Sequence, residues 1–505
     1  MTIFMVLLYI FLGLITYMVV SFRKRASYWK AQGITNEEPH PLLGNMVGLG
    51  KTKSFGDVWN EYYQKFKGSG PFLGFYFFHR PSAFLLDPAL IKNVLIKDFN
   101  KFTDRGFFHN PKDDPLSGQL FLIDGNKWRR MRNKLSPTFT SGKMKFMFPI
   151  VTQICDEFVE VLGKAVDENP VVEMREMLAR FTTDVIGSCA FGIECNSLKN
   201  PNAVFREFGR KGLEEQRHGR LVMAFMNSFP EVAKALKMKL FTEDVIQFFL
   251  RIVKETVEYR EQNNVRRNDF MDMLIDLKNK KLIKSEHGED LTNLTMEEIT
   301  AQAHVFFNAG FETSSTTMGF ALYELAQNQD MQDRARQEIM DMFEKNDNKF
   351  SYESMKDLPY LEQIIAETLR MYTVVPVLNR QALEDYVVPG NPKYVIKKGM
   401  PVLIPVVGIH HDERYYPNPQ KFNPDNFTPD KIAERDSVVY MPFGEGPRNC
   451  IGMRFGKMQT TIGLTMLLKN FKFSVCSETQ IPLQYDKKSF LISSEKGITL
   501  KVTRI

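Results

Sequence analysis

Cysteine is scarce in this chain: five residues among 505, at positions 155, 189, 195, 450 and 476. No pair has the C-x-x-C spacing of a zinc site. The odd, sparse set also argues against a disulfide framework and fits a reducing compartment. No internal repeat is present, and no Pro/Gly/Ser-rich break follows residue 45. Length alone would suggest about three domains. Without linkers, one large catalytic domain over residues 46–505 is the better expectation. The net charge of +6 is spread along the chain, so nothing points to a nucleic-acid partner.

Charge is absent from the first twenty residues, MTIFMVLLYIFLGLITYMVV, and no acid occurs before Glu37. As a helix, Ile3–Val20 would cover roughly 27 Å, enough for a thin bilayer such as the endoplasmic reticulum. Arg23, Lys24 and Arg25 come after the apolar run rather than before it, and no small-residue cleavage site follows. That order reads as a retained membrane anchor over residues 1–22, not a removed signal peptide. The positive-inside tendency then places everything downstream in the cytosol. Residues 23–45 read as a basic linker, stiffened by Pro39 and Pro41.

Apolar periodicity indicates helices near 146–166, 173–189, 243–262, 295–327, 329–345 and 353–371. Short strand-like runs occur near 72–86, 383–405, 471–476 and 489–504. The expected class is mainly α with small β-sheets (α+β). Residues 406–442 are rich in Pro and Asn and lack helical period, as an ordered meander would. Thr295 and Glu298 form a capping box at the start of a long helix.

Cys450 lies in FGEGPRNCIG, residues 443–452. Ile451, Phe455, Met458, Ile462 and Met466 mark one helical stripe after it. The cysteine therefore precedes a helix N-terminus, where free N–H groups and the dipole favour a thiolate. Gly444, Gly446 and Gly452 allow a sharp turn and close approach to a flat object. Phe443 can cover the sulfur, and Arg448 adds a fixed cation. The alternative is a buried structural cysteine.

This loop matches F-x-x-G-x-R-x-C-x-G, and the chain resembles the cytochrome P-450 family over essentially its whole length. The resemblance implies the cytochrome P-450 haem-thiolate fold with an N-terminal transmembrane anchor. It implies haem b (iron protoporphyrin IX) as cofactor and Cys450 as the iron ligand. Trp128, Arg132 and Arg380 would contact haem propionates; Arg448, Phe443, Gly446 and Gly452 would bind the cofactor from the cysteine loop. Glu367 and Arg370, in ETLR, would lock the haem-proximal core. One departure stands out: Asn426, in FNPDNF, occupies the place of the usual meander arginine, which puts the meander's anchoring in question. Glu312–Thr313 in AGFETSS matches the family's acid–alcohol pair, which delivers protons for oxygen activation, with Ala309 and Gly310 small enough to admit O2.

Family position places the substrate pocket among Phe107, Phe108, Leu116, Phe121, Phe306, Ala309, Val375, Val377, Phe490 and Leu491. Residues 205–245 form its roof. The implied function is monooxygenation of a lipophilic small molecule, and the overall sequence character resembles insect microsomal members that oxidise plant toxins and insecticides. The implied partners are NADPH-cytochrome P-450 reductase, docked by Lys127, Arg129, Arg130, Arg454 and Lys457, with cytochrome b5 as a second donor. Two rivals remain: a peroxide-using haem-thiolate isomerase or dehydratase, against which Glu312–Thr313 argues, and a haem sensor or carrier, which needs neither anchor nor apolar access loops.

Overall fold

The computed structural model describes residues 2–215, 217–267, 269–279, 283–284, 290–291 and 293–505. Its organising element is a 32-residue helix, Met296–Gln327. The capping box begins it: Thr295 accepts the N–H of Glu298 while the Glu298 side chain accepts the N–H of Thr295. Most of this central helix is buried, as expected of a helix apolar on nearly every side. It packs chiefly on Met174–Ile186 and also on Met453–Asn470, the helix that follows Cys450.

The helices Glu243–Gln262 and Gln329–Lys345 have the bounds that their periodicity indicates. The segment near 353–371 divides into a short 3-10 turn, Ser354–Asp357, and the helix Pro359–Met371. Pro359 begins that helix at a position where the missing N–H matters little. Phe55–Phe66 and Phe270–Asn279 are helices that periodicity did not single out.

The strand-like run at 72–86 is a hairpin, Phe72–Phe77 with Arg80–Leu85. It joins Pro401–Ile404 in parallel, and Leu378–Gln381 closes a four-stranded sheet. At the C-terminus, Phe471–Ser474 pairs with Thr499–Arg504, which also takes the short strand Val171–Glu173. Residues 489–498, expected as strand, form an irregular turn instead. Gly497 has φ +78° there, a conformation that ends extended pairing. The meander at 406–442 is a series of short turns, including Val406–His410, Pro424–Phe427 and Pro429–Ala433.

The roof segment holds three helices, Val204–Glu214, Arg220–Ser228 and Pro230–Ala235. Phe108, Met226 and Ala233 form a small buried cluster separate from the main core, flanked by Met223, Phe225, Met238 and Leu240.

The N-terminal helix Thr2–Ala26 carries exposed Phe4, Leu7, Tyr9 and Phe11 and ends on Arg23, Lys24 and Arg25. Among the described residues no helix is long and apolar enough to cross a membrane. Several side chains between residues 2 and 19 lie outside that description. The stretch 23–45 is docked on the sheet. Trp29 is fully buried, its indole N–H donates to the Phe75 carbonyl at 3.1 Å, and Tyr76 Oη donates to the Ala26 carbonyl at 2.8 Å. A Cβ at Gly74 would lie 2.4 Å from the indole ring, so the glycine makes room for the tryptophan. Trp29→Ala should therefore destabilise the folded domain by ~3–5 kcal/mol, measured by denaturant unfolding. A change below ~1 kcal/mol would mean that the segment is not part of the core.

Candidate functional site

Cys450 is placed by its loop. Its N–H donates to the Phe443 carbonyl at 2.8 Å, closing the turn, and the helix Met453–Asn470 begins three residues later. Gly444 and Gly446 have φ +71° and +73°. A Cβ at Gly446 would lie 1.9 Å from the Leu95 carbonyl oxygen, so glycine is demanded twice there. Gly452 is different: its φ is −88° and a Cβ would meet only Phe139, at 3.8 Å. Nothing in the protein itself requires its smallness.

Cys450 is exposed, whereas Cys155, Cys189 and Cys195 are buried. Its thiol pKa is nonetheless raised. Desolvation by the surrounding protein outweighs the Gly452 N–H, Arg132 and Arg105, which favour the thiolate. The Gly452 N–H at the helix terminus does favour the thiolate, as the loop's position suggests, but burial acts the other way and is the larger influence. A bound metal cation would add to the influences that favour the thiolate.

Around this loop the fold gathers arginines. Arg448, buried, bonds the carbonyls of Thr103 and Ile123, pairs with Asp124 at 3.3 Å and lies over the Trp128 ring. Arg132 donates to the Asn449 carbonyl and side chain, both at 2.9 Å. Arg380 is 1% exposed and, among the described residues, donates only to its neighbour's carbonyl, Asn379 O. The Nε atoms of Arg380 and Arg448 have no partner among the described residues. Arg105, not singled out from sequence, completes the group: it donates to the Phe121 carbonyl and stacks on the Phe121 ring. Burial, and then Arg448, push the Arg380 pKa down to about 9. Burial, then Arg448 and Arg380, hold Arg105 well below its usual range. Asp124 and Asp104 are the nearby acids.

Glu367 and Arg370 are fully buried and form a bidentate pair, at 2.7 and 2.8 Å. Arg370 also donates to the carbonyls of His410 and Pro419, both at 2.9 Å. Asn426 does not leave the meander loose. Its amide donates to Glu367 Oε1 at 3.2 Å, beside the Asn423 N–H at 2.9 Å. Arg435 bonds the Asn426 carbonyl and lies over Tyr416 and Phe427. The carboxylate that usually meets two arginines here meets one, plus two neutral donors.

On the central helix, the Thr313 hydroxyl donates to the Ala309 carbonyl at 2.7 Å, a bond that mid-helix threonines commonly make. Glu312 is no solvated acid: its side chain is 14% exposed and pairs with Arg175 at 3.1 Å. No hydrogen bond joins Glu312 to Thr313 among the described residues. Gly310 is small for a protein reason, because a Cβ would lie 2.7 Å from the Ile186 side chain.

The pocket candidates divide. Phe107 stacks on Phe121 at 5.7 Å, near Arg105. Phe108 joins the roof cluster. Leu116 and Val377 are buried, Val375 half-buried. Phe306 meets Phe270 and Phe139 edge-on, and Phe490 packs on Phe55 at 5.3 Å. Leu491 packs against the main core.

A model of the cytochrome P450 family matches residues 35–502. The chain belongs to the cytochrome P450 family. It is 63% identical over 500 residues to probable cytochrome P450 6a21 of Drosophila melanogaster, covering 99% of each chain. It is 61% identical over 505 residues to cytochrome P450 6a9 of the same fly, covering 100% of each. Cytochrome P450 6A1 of Musca domestica is 51% identical over 499 residues, covering 98% of this chain and 97% of its own.

The chain is therefore a P450 monooxygenase, and haem is its cofactor. The residues present fit that group. An exposed thiol at a glycine-shaped loop suits iron, and an excess of arginines with unpartnered Nε atoms suits a dianionic porphyrin edge. Arg380→Met should accordingly leave the haem-free protein as stable or more stable, since a desolvated charge disappears. The same change should speed haem loss by roughly 10- to 100-fold, the loss of one charged hydrogen bond. Haem transfer to apomyoglobin reads the rate; an unchanged rate would remove Arg380 from the site. The sign with pH follows: a lowered arginine pKa penalises the haem-free fold fully below about 9 and less as pH rises above it.

Proposed function

We propose that this monooxygenase is held in the endoplasmic reticulum membrane by residues 1–22, with residues 23–45 as a docked connection and residues 46–505 on the cytosolic side. It inserts one oxygen atom of O2 into a lipophilic small molecule, with a plant toxin, insecticide or other xenobiotic as the first choice and an endogenous lipid or hormone as the second. Electrons come from NADPH-cytochrome P450 reductase, with cytochrome b5 as an additional donor. The observation that carries the site reading is the exposed Cys450 thiol in a glycine-shaped loop beside buried arginines whose Nε atoms have no partner among the described residues.

Haem supplies the one-electron and oxygen chemistry that side chains lack. The protein's part is to bind, orient and deliver protons. Cys450 offers the metal-binding sulfur, and Phe443 and the loop glycines shape its surroundings. Arg132, Arg380, Arg448 and Arg105, with Trp128, hold the propionate edge. Adjacent helical residues point about 100° apart, so Glu312 and Thr313 reach one another through water. Glu312, fixed by Arg175, exchanges protons with that water. Thr313 passes them on by turning its hydroxyl away from the Ala309 carbonyl. Phe107, Phe108, Leu116, Phe121, Phe306, Ala309, Val375, Val377, Phe490 and Leu491 supply apolar walls that exclude other water.

The membrane reading draws on the 25-residue N-terminal helix, its exposed apolar side chains and the basic last turn. The electron-donor reading draws on Lys127, Arg129, Arg130, Arg454 and Lys457. All five are exposed, on the helix Gly125–Leu135 and the helix after Cys450, and they suit an acidic partner surface.

Two measurements test this. With purified reductase, NADPH and a lipophilic substrate, the enzyme should consume O2 and yield a hydroxylated product. Turnover that needs only a peroxide would contradict the donor assignment. Thr313→Ala should divert electrons to peroxide; product formed per NADPH that stays at the wild-type ratio would contradict the relay.

A further inference from the structure

We infer that Arg175 is the positioning residue for the Glu312 carboxylate, and that it couples this acid to the C-terminal turn, residues 489–498, beside the substrate pocket. The inference rests on the proton-relay reading of Glu312 and Thr313.

Arg175 is the second residue of the helix Met174–Ile186. Its guanidinium bonds two different parts of the chain among the described residues. Nη2 donates to Glu312 Oε1 at 3.1 Å, and Nη1 donates to the Ser494 carbonyl at 3.2 Å. Using both terminal nitrogens fixes the plane of the fork, which a lysine ammonium cannot do. The backbone of Arg175 is fixed as well. Its N–H donates to Glu173 Oε1 at 3.0 Å, and that same oxygen accepts the Ile498 N–H at 2.7 Å. A Cβ at Gly497 would lie 2.5 Å from Glu173 Oε1, so the turn approaches Glu173 as closely as glycine allows. The start of one helix therefore grips the C-terminal turn at two points, Ser494 and Ile498.

The other end of the turn is tied to the pocket wall. The Ile492 N–H donates to the Val374 carbonyl at 2.9 Å. Val374 belongs to the 373–378 stretch whose Val375 and Val377 are pocket candidates. A continuous path of hydrogen bonds and short covalent segments thus runs from Val374 through Ile492, Ser494 and Arg175 to Glu312. A substrate that displaces the turn must also load Arg175.

Glu312 depends on this arginine in two ways. Its side chain is mostly buried, and a buried carboxylate without a cation is destabilised. Arg206, which lies over the Phe311 ring, pairs with Glu176 at 3.0 Å. Arg175 takes Oε1, and no described residue takes Oε2. The carboxylate is therefore oriented with one oxygen left for a bridging water, the arrangement that a water-mediated path to Thr313 requires.

Full-length, haem-loaded enzyme with reductase tests this through product formed per NADPH. Arg175→Met should lower the ratio by about tenfold, less than the ~10²-fold or more expected for complete loss of a positioned proton donor. Arg175→Lys should restore part of it. In a Glu312→Gln background, Arg175→Met should have no further effect. A second readout, independent of turnover, is amide hydrogen exchange. Segment 489–498 should exchange faster in Arg175→Met and at the wild-type rate in Glu312→Gln. Should Arg175→Met fail to take up haem, Arg175→Gln, which keeps a donor for Ser494 without the charge, serves the same comparison in turnover. A wild-type ratio in Arg175→Met beside a lowered one in Glu312→Gln overturns this inference alone, as does a full additional loss in the double variant. A wild-type ratio in Glu312→Gln overturns the relay and this inference with it.

Discussion

The constraint on which this molecule turns is an excess of positive charge in a desolvated place. Arg105, Arg132, Arg380 and Arg448 converge near the cysteine loop, beside Asp104 and Asp124. Burial alone depresses each of these guanidiniums, and mutual repulsion depresses Arg105 and Arg380 further. A protein retains such an arrangement only if something outside the chain repays it. A dianionic porphyrin edge would do so on one side, and a cationic iron would do so for the Cys450 sulfur, whose thiol pKa burial raises. Charge on the arginines and protonation of the cysteine are two faces of one requirement.

The scaffold answers with rigidity. Gly446 lets the loop press against the Leu95 carbonyl, and Arg448 pins it to the carbonyls of Thr103 and Ile123. Behind it, the buried Glu367–Arg370 pair joins one helix to two points of the meander. Asn426 shows that the lock needs donors more than it needs a second cation. Glu367 Oε1 accepts from Arg370, Asn423 and Asn426, so its lone pairs are used without a third charge. Arg435 meanwhile returns a cation to the meander by stacking on Tyr416 and Phe427.

Local signals were legible in the sequence, and long-range ones were not. The central helix begins where Thr295 and Glu298 place it, because a capping box is complete within four residues. The cysteine loop was readable for the same reason: its glycines, its arginine and the helix it precedes are contiguous. No local pattern singles out Arg105 or Arg175, since Asp124, Ser494 and Glu312 come near them only through the fold. The direct bond from Asn426 to Glu367 spans 59 positions, and no local pattern signals it. The turn at 489–498 read as strand from composition, while Glu173 and Arg175 bend it around the start of another helix. The short roof helices between 204 and 235 lack the length for a clear period.

The central claim is that the Cys450 sulfur ligates the haem iron within this arginine frame. The most direct measurement is the spectrum of the reduced, carbon monoxide-treated protein, taken for the wild type and for Cys450→Ala. The wild type should show the long-wavelength Soret band of a thiolate–CO adduct, and the variant should lose it. A variant that kept the band would contradict the account.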